Sequence, residues 1–212
     1  MIPKKNYQIE MERALDSLKD RAVRPRLLLH SCCAPCSSAV LERLTAHFDI
    51  TVFYYNPNIS PESEFIHRVD EQARLIAEMP HENPITLLRG EYDPERFYAM
   101  AKGLEDAPEG GERCTGCFRL RLGRAAETAR DGGYDFFTTT LSISPLKDAQ
   151  RLNAIGAELS ARFGVPYLFS DFKKKNGYKR SCELSQVYGL YRQDYCGCVF
   201  SKRQRELSTL TK

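Results

Sequence analysis

Residues 27–38, Leu-Leu-Leu-His-Ser-Cys-Cys-Ala-Pro-Cys-Ser-Ser, constrain the fold of this chain more than any other stretch. An apolar run ends on three cysteines in five residues, and a helical pattern follows. Residues 27–30 read as a buried strand, and residues 37–46 as a helix with serine N-cap candidates. The cysteines therefore sit where a strand feeds a helix. In an open α/β sheet that junction lies on the carboxyl edge, where ligands bind. Helix N–H groups at such a place favour the charged thiolate. One cysteine there would read as packing. Two adjacent cysteines, with a third at Cys33-x-x-Cys36 spacing, match metal-ligand spacing instead.

The rest of the chain repeats the alternation. Residues 7–20 form an amphipathic helix carrying Ile9, Ala14, Leu15 and Leu18. Residues 49–55 are a β-branched and aromatic second strand, followed by a turn-rich loop at 56–61. A helix then starts with Ser60 as N-cap and Pro61 as its first residue, with Phe65, Val69, Ala73 and Ile76 on one face. Residues 85–88 are a third strand and 94–101 a short helix. An acidic loop at 105–112 leads to Cys114-Thr115-Gly116-Cys117, which opens a helix that stops at Gly132-Gly133. Residues 134–140 are strand four, with a polar loop at 141–145. A helix at 148–163, strand five at 166–169, a basic loop at 173–180 and a short helix at 181–189 follow. Cys196-Gly197-Cys198 precedes a polar tail.

Strands alternating with helices predict an α/β fold with one doubly wound, mostly parallel sheet of about five strands. The first strand should be central, beside the point where strand order reverses. The partition is an N-terminal helical extension at 1–25, a catalytic α/β unit at 26–201 and a polar tail at 202–212. At 212 residues the chain can bury a substantial core as one domain. Its net charge of +3 is small, so nucleic-acid binding must rest on local clustering. No phosphate-binding glycine motif is present. No apolar stretch approaches the roughly 18 residues of a membrane helix, and the start lacks a signal peptide's apolar core. The expectation is a cytoplasmic protein without membrane partners. There, eight cysteines serve metals or redox chemistry rather than structural disulfides.

Cys114 and Cys117, with Cys32 and Cys33, supply four thiolates, which suit either zinc or an iron–sulfur cluster. Adjacent cysteines do not easily share one tetrahedral zinc, so the pattern favours a cluster. Cys196 and Cys198 can close a small, strained and easily reduced disulfide ring, with metal ligation as the competing role. Cys36 fits a second metal beside the cluster or a packed thiol. Cys182 reads as packing. Two further function classes are open on these residues. One is a zinc-stabilised nucleic-acid-binding module. The other is a metal-free thiol–disulfide oxidoreductase using Cys33-x-x-Cys36.

Five segments, in order, carry a resemblance: His-Ser-Cys-Cys-Ala-Pro-Cys at 30–36, Tyr-Tyr-Asn-Pro-Asn-Ile at 54–59, Glu-Arg-Cys-Thr-Gly-Cys at 112–117, Thr-Thr-Thr-Leu-Ser-Ile-Ser-Pro at 138–145 and Tyr-Arg-Gln-Asp-Tyr-Cys-Gly-Cys at 191–198. Over about residues 27–201 the chain resembles the QueH type of epoxyqueuosine reductase. The resemblance implies an oxidoreductase with an α-hydrolase-like (HUP) sheet. It would remove the epoxide oxygen of epoxyqueuosine at the wobble position of tRNA, leaving queuosine, the last step of queuosine biosynthesis. By motif, Cys32, Cys33, Cys114 and Cys117 would hold a [4Fe-4S] cluster, and Cys196 and Cys198 would form a redox-active disulfide. A mononuclear iron beside the cluster is implied too. Cys36 stands at its ligand position, where relatives can carry a carboxylate. The reaction takes two electrons from an unidentified donor and two protons, and it releases water. Tyr195, Asp194 and the hydroxyls of residues 138–144 are proton-donor candidates by motif position alone. The basic run at 173–180 would lie on the same sheet edge. Lys173, Lys174, Lys175, Lys179 and Arg180 would meet phosphates there, and Tyr178 would stack on a splayed anticodon-loop base.

Overall fold

The computed structural model describes residues 5–19 and 23–210. Residues 1–4 and 20–22 of the expected N-terminal extension, and 211–212 of the tail, lie outside the described residues. The elements are α1 (Tyr7–Asp16), β1 (Arg26–His30), α2 (Ala34–Leu44), β2 (Asp49–Tyr54), α3 (Glu62–Glu78), β3 (Ile85–Arg89), α4 (Pro94–Ala101), α5 (Glu112–Asp131), β4 (Phe136–Thr139), a 3-10 turn (Thr140–Ile143), α6 (Ala149–Phe163), α7 (Gly177–Val187) and α8 (Val199–Leu210). The strands form one parallel sheet in the order β3-β2-β1-β4. β1 pairs with both β2 and β4, so strand order reverses beside it, as the alternation predicts.

The two faces of the sheet follow from the two-residue period of a strand. Leu27 and Leu29 of β1 and Val52 of β2 pack with Val40, Leu41 and Leu44 of α2 and Leu75 of α3. Leu28, Phe53 and Phe137 point the other way, against Leu122, Ala125 and Ala126 of α5 and Leu152 and Ile155 of α6. The middle of β1, Leu27–Leu29, is therefore apolar and buried on both faces. Met11 and Leu15 of α1 join the first of these layers, which ties the N-terminal helix to the core.

The structure corrects the expected elements in five places. The sheet has four strands, because residues 166–169 contribute only a single bridge, Phe137 to Tyr167. Side chains replace the ladder beyond it: Thr138 Oγ1 donates to the Leu168 carbonyl, and Asn153 brackets the Ser170 N–H and C=O. Helix α2 starts at Ala34, three residues earlier than Ser37, with Cys33 as N-cap. Pro35 fits that first turn because its missing N–H would have had no intrahelical partner. Pro61 is the N-cap of α3 and not its first residue. Ala73 faces solvent, and the buried stripe runs through Phe65, Arg68, Val69, Gln72 and Leu75. Helix α7 begins at Gly177 rather than Ser181. A Cβ at Gly177 would sit 1.8 Å from the Phe172 carbonyl oxygen, so only glycine lets the chain turn there. The segment expected as a polar tail is helical through α8.

Candidate metal and thiol site

The carboxyl ends of β1, β2 and β4 meet at the cysteines. Cys33 is the extended N-cap of α2, and Cys36 is its third helical residue. Side chains at N-cap and N3 meet across a first turn, as in a capping box. The sulfurs of Cys32, Cys33 and Cys36 accordingly lie within 4.8 Å of one another. Cys32 is fixed from both sides. Its N–H reaches Thr140 Oγ1 at 3.3 Å, and its carbonyl accepts from Tyr54 Oη at 3.3 Å. The first turn of α2 is held by Gln72 of α3, whose Oε1 accepts from Ser31 Oγ at 2.8 Å and Ser37 Oγ at 2.6 Å. His30 is fully buried between Thr139 Oγ1 (2.8 Å) and the Tyr55 carbonyl (3.1 Å). Burial, then the Arg121 charge, pushes its pKa down to about 3, so the ring is neutral. Its Nε2 carries the proton, because a carbonyl can only accept.

The trio opens on a cavity of about 280 Å³, whose lining also includes Arg68, Arg121, Lys147, Tyr178, Tyr195 and Cys196. A second, narrow slot is lined by Cys114, Cys117, Cys196, Cys198 and Asn58. Cys196 borders both. Cys114 and Cys117 stand on the first turns of α5, where Gly110 N–H reaches the Cys114 sulfur at 3.2 Å. Cys198 packs on Cys117 and Phe97, and the Ser201 N–H donates to its sulfur at 3.4 Å. Cys196 and Cys198 are unbridged thiols.

One thiolate is favoured in the trio. Hydrogen bonds from Cys33 and Cys36, with Lys147 and Arg121 nearby, hold Cys32 well below the usual thiol range. The shared proton and the Cys32 charge push Cys33 up to about 12 and raise Cys36 as well. Burial raises Cys114 and Cys198, and pushes Cys117 up to about 12. Burial works against the charges of Lys147 and Arg121. Nearby cysteines, the Cys32 thiolate among them, nevertheless raise both, Cys196 and Cys32 beside Lys147 and Cys117 and Cys32 beside Arg121, so both stay protonated. Arg121 feels cysteines of both groups, which places it between them. Its Nη2 donates to Asn56 Oδ1, and Asn56 Nδ2 donates to the Ser31 carbonyl at 2.9 Å.

The donor set fits a thiolate-bound metal group. Two sulfurs about 2.3 Å from one tetrahedral metal stand about 3.8 Å apart, and the Cys32 and Cys33 sulfurs are 3.8 Å apart. Adjacency therefore does not by itself disfavour a single ion here, contrary to the expectation from sequence. A bound metal would deprotonate the remaining thiols, whose neutral form is otherwise favoured by burial.

The family model for epoxyqueuosine reductase QueH matches residues 27–204. The chain belongs to the QueH family. It is 42% identical over 200 residues to epoxyqueuosine reductase QueH of Staphylococcus epidermidis, covering 92% of this chain and 84% of that one. It is 39% identical to the protein of that name from Staphylococcus aureus, covering 97% and 88%. The Thermotoga maritima protein of that name is 36% identical, covering 84% and 91%.

Within this QueH chain the expected site residues fall into two groups that share Cys196. Cys36 sits with Cys32 and Cys33 in the first, while Cys114 and Cys117 sit with Cys198 in the second. Cys182 lies on α7 and lines neither cavity. Of the basic run, Lys173 donates to Asp171 and to the Ser142 carbonyl, Lys175 pairs with Glu12, and Arg180 pairs with Glu42 and Glu183. Lys174 and Lys179 are exposed with no ion pair among the described residues. Tyr178 is at the cavity rim, with the Arg192 guanidinium 6.0 Å from its ring centroid. Sequence reasoning misses Arg68 and Arg121. Both are charges set in an apolar helical stripe, Arg68 between Phe65 and Val69, Arg121 beside Phe118 and Leu122. That placement is the signal the sequence offers for them.

Proposed function

We propose that this chain reduces the epoxide of epoxyqueuosine in tRNA to the alkene of queuosine. The family match and the named relatives support that reading. The observation that carries the chemistry is the placement of Cys196, which borders the cavity holding Cys32, Cys33 and Cys36 and the slot holding Cys114, Cys117 and Cys198. Removing an epoxide oxygen as water takes two electrons and two protons. Oxidation of the Cys196 and Cys198 thiols to a disulfide releases that number of each, and an external dithiol would restore the pair. An iron–sulfur group, which we assign to Cys32, Cys33, Cys114 and Cys117, supplies one-electron chemistry when bound. Cys36 is assigned to a mononuclear iron beside it.

The chain's own residues do the rest. Arg121 and Lys147 stay charged and compensate the thiolates. The Thr140 hydroxyl accepts from the Cys32 N–H and the Tyr54 hydroxyl donates to its carbonyl, which fixes the Cys32 backbone at the edge of the cavity. Tyr178 and Arg192 at the rim offer a stacking face for an unpaired nucleotide. Lys174 and Lys179 offer phosphate contacts. We assign residues 26–201 to the catalytic unit, 1–25 to a helical extension and 202–212 to a tail. We also place the protein in the cytoplasm; no helix among the described residues is long and apolar enough to cross a membrane.

The deciding experiment is anaerobic purification with iron, sulfide and zinc analysis, followed by turnover of tRNA carrying epoxyqueuosine. Brown protein with iron and sulfide, and queuosine in the digested nucleosides, is the expected outcome. A colourless zinc protein without turnover sinks the proposal.

A further inference from the structure

The segment 191–198 carries Cys196 and Cys198 to the junction of the two cavities. Its start is held by Glu71 and by Ser181 and Ser185 of α7, and Asp194 pairs with Arg205 of α8, but its cysteine end rests on one turn of α3. Glu64 and Arg68 are one helical turn apart there, and Arg68 is only 2% exposed. Arg68 Nε donates to Glu64 Oε1 at 2.7 Å, and Tyr191 Oη donates to the same oxygen at 3.2 Å. Arg68 Nη1 points to the Cys196 carbonyl at 3.5 Å. With its amide turned to satisfy both ends, Gln193 accepts from Arg68 Nη1 at 2.9 Å and donates to the Tyr191 carbonyl at 3.2 Å. The guanidinium also lies 5.4 Å from the Tyr195 ring centroid. Next to it, Ser60 N–H donates to the Gly197 carbonyl at 3.0 Å.

Gly197 shows how tight the arrangement is. Its φ of +109° is a conformation side chains rarely adopt, and a Cβ there would stand 3.0 Å from Arg68 Nη1 and from Ile59 Cγ1. The turn must therefore lie directly on the arginine. Surface ion pairs contribute little, but a buried guanidinium already paired to Glu64 is held in one geometry and transmits it. Helix α3 thus helps to fix the backbone that carries the Cys196 sulfur.

We infer that Arg68, braced by Glu64, is a positioning residue that seats the Cys196-Gly197-Cys198 turn between the cysteine trio and the α5 cysteines. Its effect on turnover rests on the reductase reading above, but its effect on the turn does not. Arg68 Nη2 has no hydrogen-bond partner among the described residues, and Arg68 borders the reaction cavity. The guanidinium therefore faces the Cys196 turn and the space the substrate would fill at once.

The test uses the full-length protein with Arg68→Gln, Arg68→Lys and Gly197→Ala. The first readout needs neither metal loading nor substrate. Reduced protein is treated with iodoacetamide, and alkylation of Cys196 is followed by mass spectrometry with Cys182 as internal control. Faster alkylation of Cys196 in Arg68→Gln and Gly197→Ala, an intermediate rate in Arg68→Lys and an unchanged Cys182 rate are expected. The second readout is turnover at normal iron content. A misplaced reacting group costs up to about 100-fold, so kcat should fall steeply with KM nearly unchanged. Arg68→Lys should recover part of the loss. Wild-type alkylation of Cys196 in Arg68→Gln and Gly197→Ala overturns the inference, and so does a rise in KM alone. If Arg68→Gln does not fold, Gly197→Ala decides alone by the same criteria. If wild-type protein shows no turnover at all, the reductase reading fails while the alkylation result still judges the positioning role.

Discussion

Cys32, Cys33 and Cys36 owe their convergence to the N-cap and N3 positions of α2, and Cys114 and Cys117 stand on the first turns of α5. A hydroxyl is a far poorer iron ligand than a thiolate. Ser at Cys32, Cys33, Cys114 or Cys117 should therefore cost most of the bound iron, measured by chemical analysis of anaerobic protein. Cys182→Ser should keep the full complement. Retention of iron in Cys114→Ser would remove α5 from the metal site. At the junction of the cavities the expectation is the reverse. Cys196→Ser and Cys198→Ser should each retain the iron and lose turnover, because each removes one half of the dithiol. Iron lost in step with activity would make these two residues metal ligands.

At the scale of elements, α6 and the segment that follows it meet at a glycine. A Cβ on Gly156 would stand 2.4–2.5 Å from the Tyr167 ring, the residue that makes the single bridge to Phe137. Overpacking of that kind costs about 1–3 kcal/mol, and the better helix propensity of alanine returns at most about 1 kcal/mol. Gly156→Ala should accordingly lower the denaturation midpoint while iron content and cysteine reactivity stay as in wild type. An unchanged midpoint would mean that the tyrosine ring moves aside freely. The truncated fifth strand belongs to the same scale. Its composition was strand-like, but Asn153 and Thr138 side chains satisfy the backbone that a ladder would otherwise have claimed.

For the whole molecule, the +3 net charge leaves little for a long-range field, so RNA affinity depends on local cations. Ion pairing sorts the basic run at 173–180. Lys173, Lys175 and Arg180 already have acidic partners, whereas Lys174 and Lys179 are exposed and without them among the described residues. Removing one cation that neutralises a single-stranded phosphate flattens log K against log salt by about 0.7. The double variant Lys174→Ala, Lys179→Ala should weaken tRNA binding and reduce that slope by up to about 1.4, with iron content normal. Lys175→Ala should do less, because its ammonium already serves Glu12. Unaltered affinity and slope in the double variant would move the RNA surface elsewhere.

The parallel α/β layout and the place of the cysteines on it are legible in the residue pattern. Both follow from local rules: an apolar run at 27–30 buried on two faces, helices between strands, and ligands at the carboxyl edge. The motif order at 30–36, 54–59, 112–117, 138–145 and 191–198 carried the family as well. Tertiary structure decided what no spacing encodes. It brought Cys196 to a position shared by two cavities, and turned Arg68 and Arg121 from anomalies on apolar stripes into buried cations beside the cysteine segments. It also paired three of the five cations in a basic run that looks uniform in one dimension. These interactions join residues far apart in the chain, such as Arg180 and Glu42 or Lys175 and Glu12. Periodicity reports which face of an element is buried, but only the packed chain fixes which charge or sulfur lies opposite.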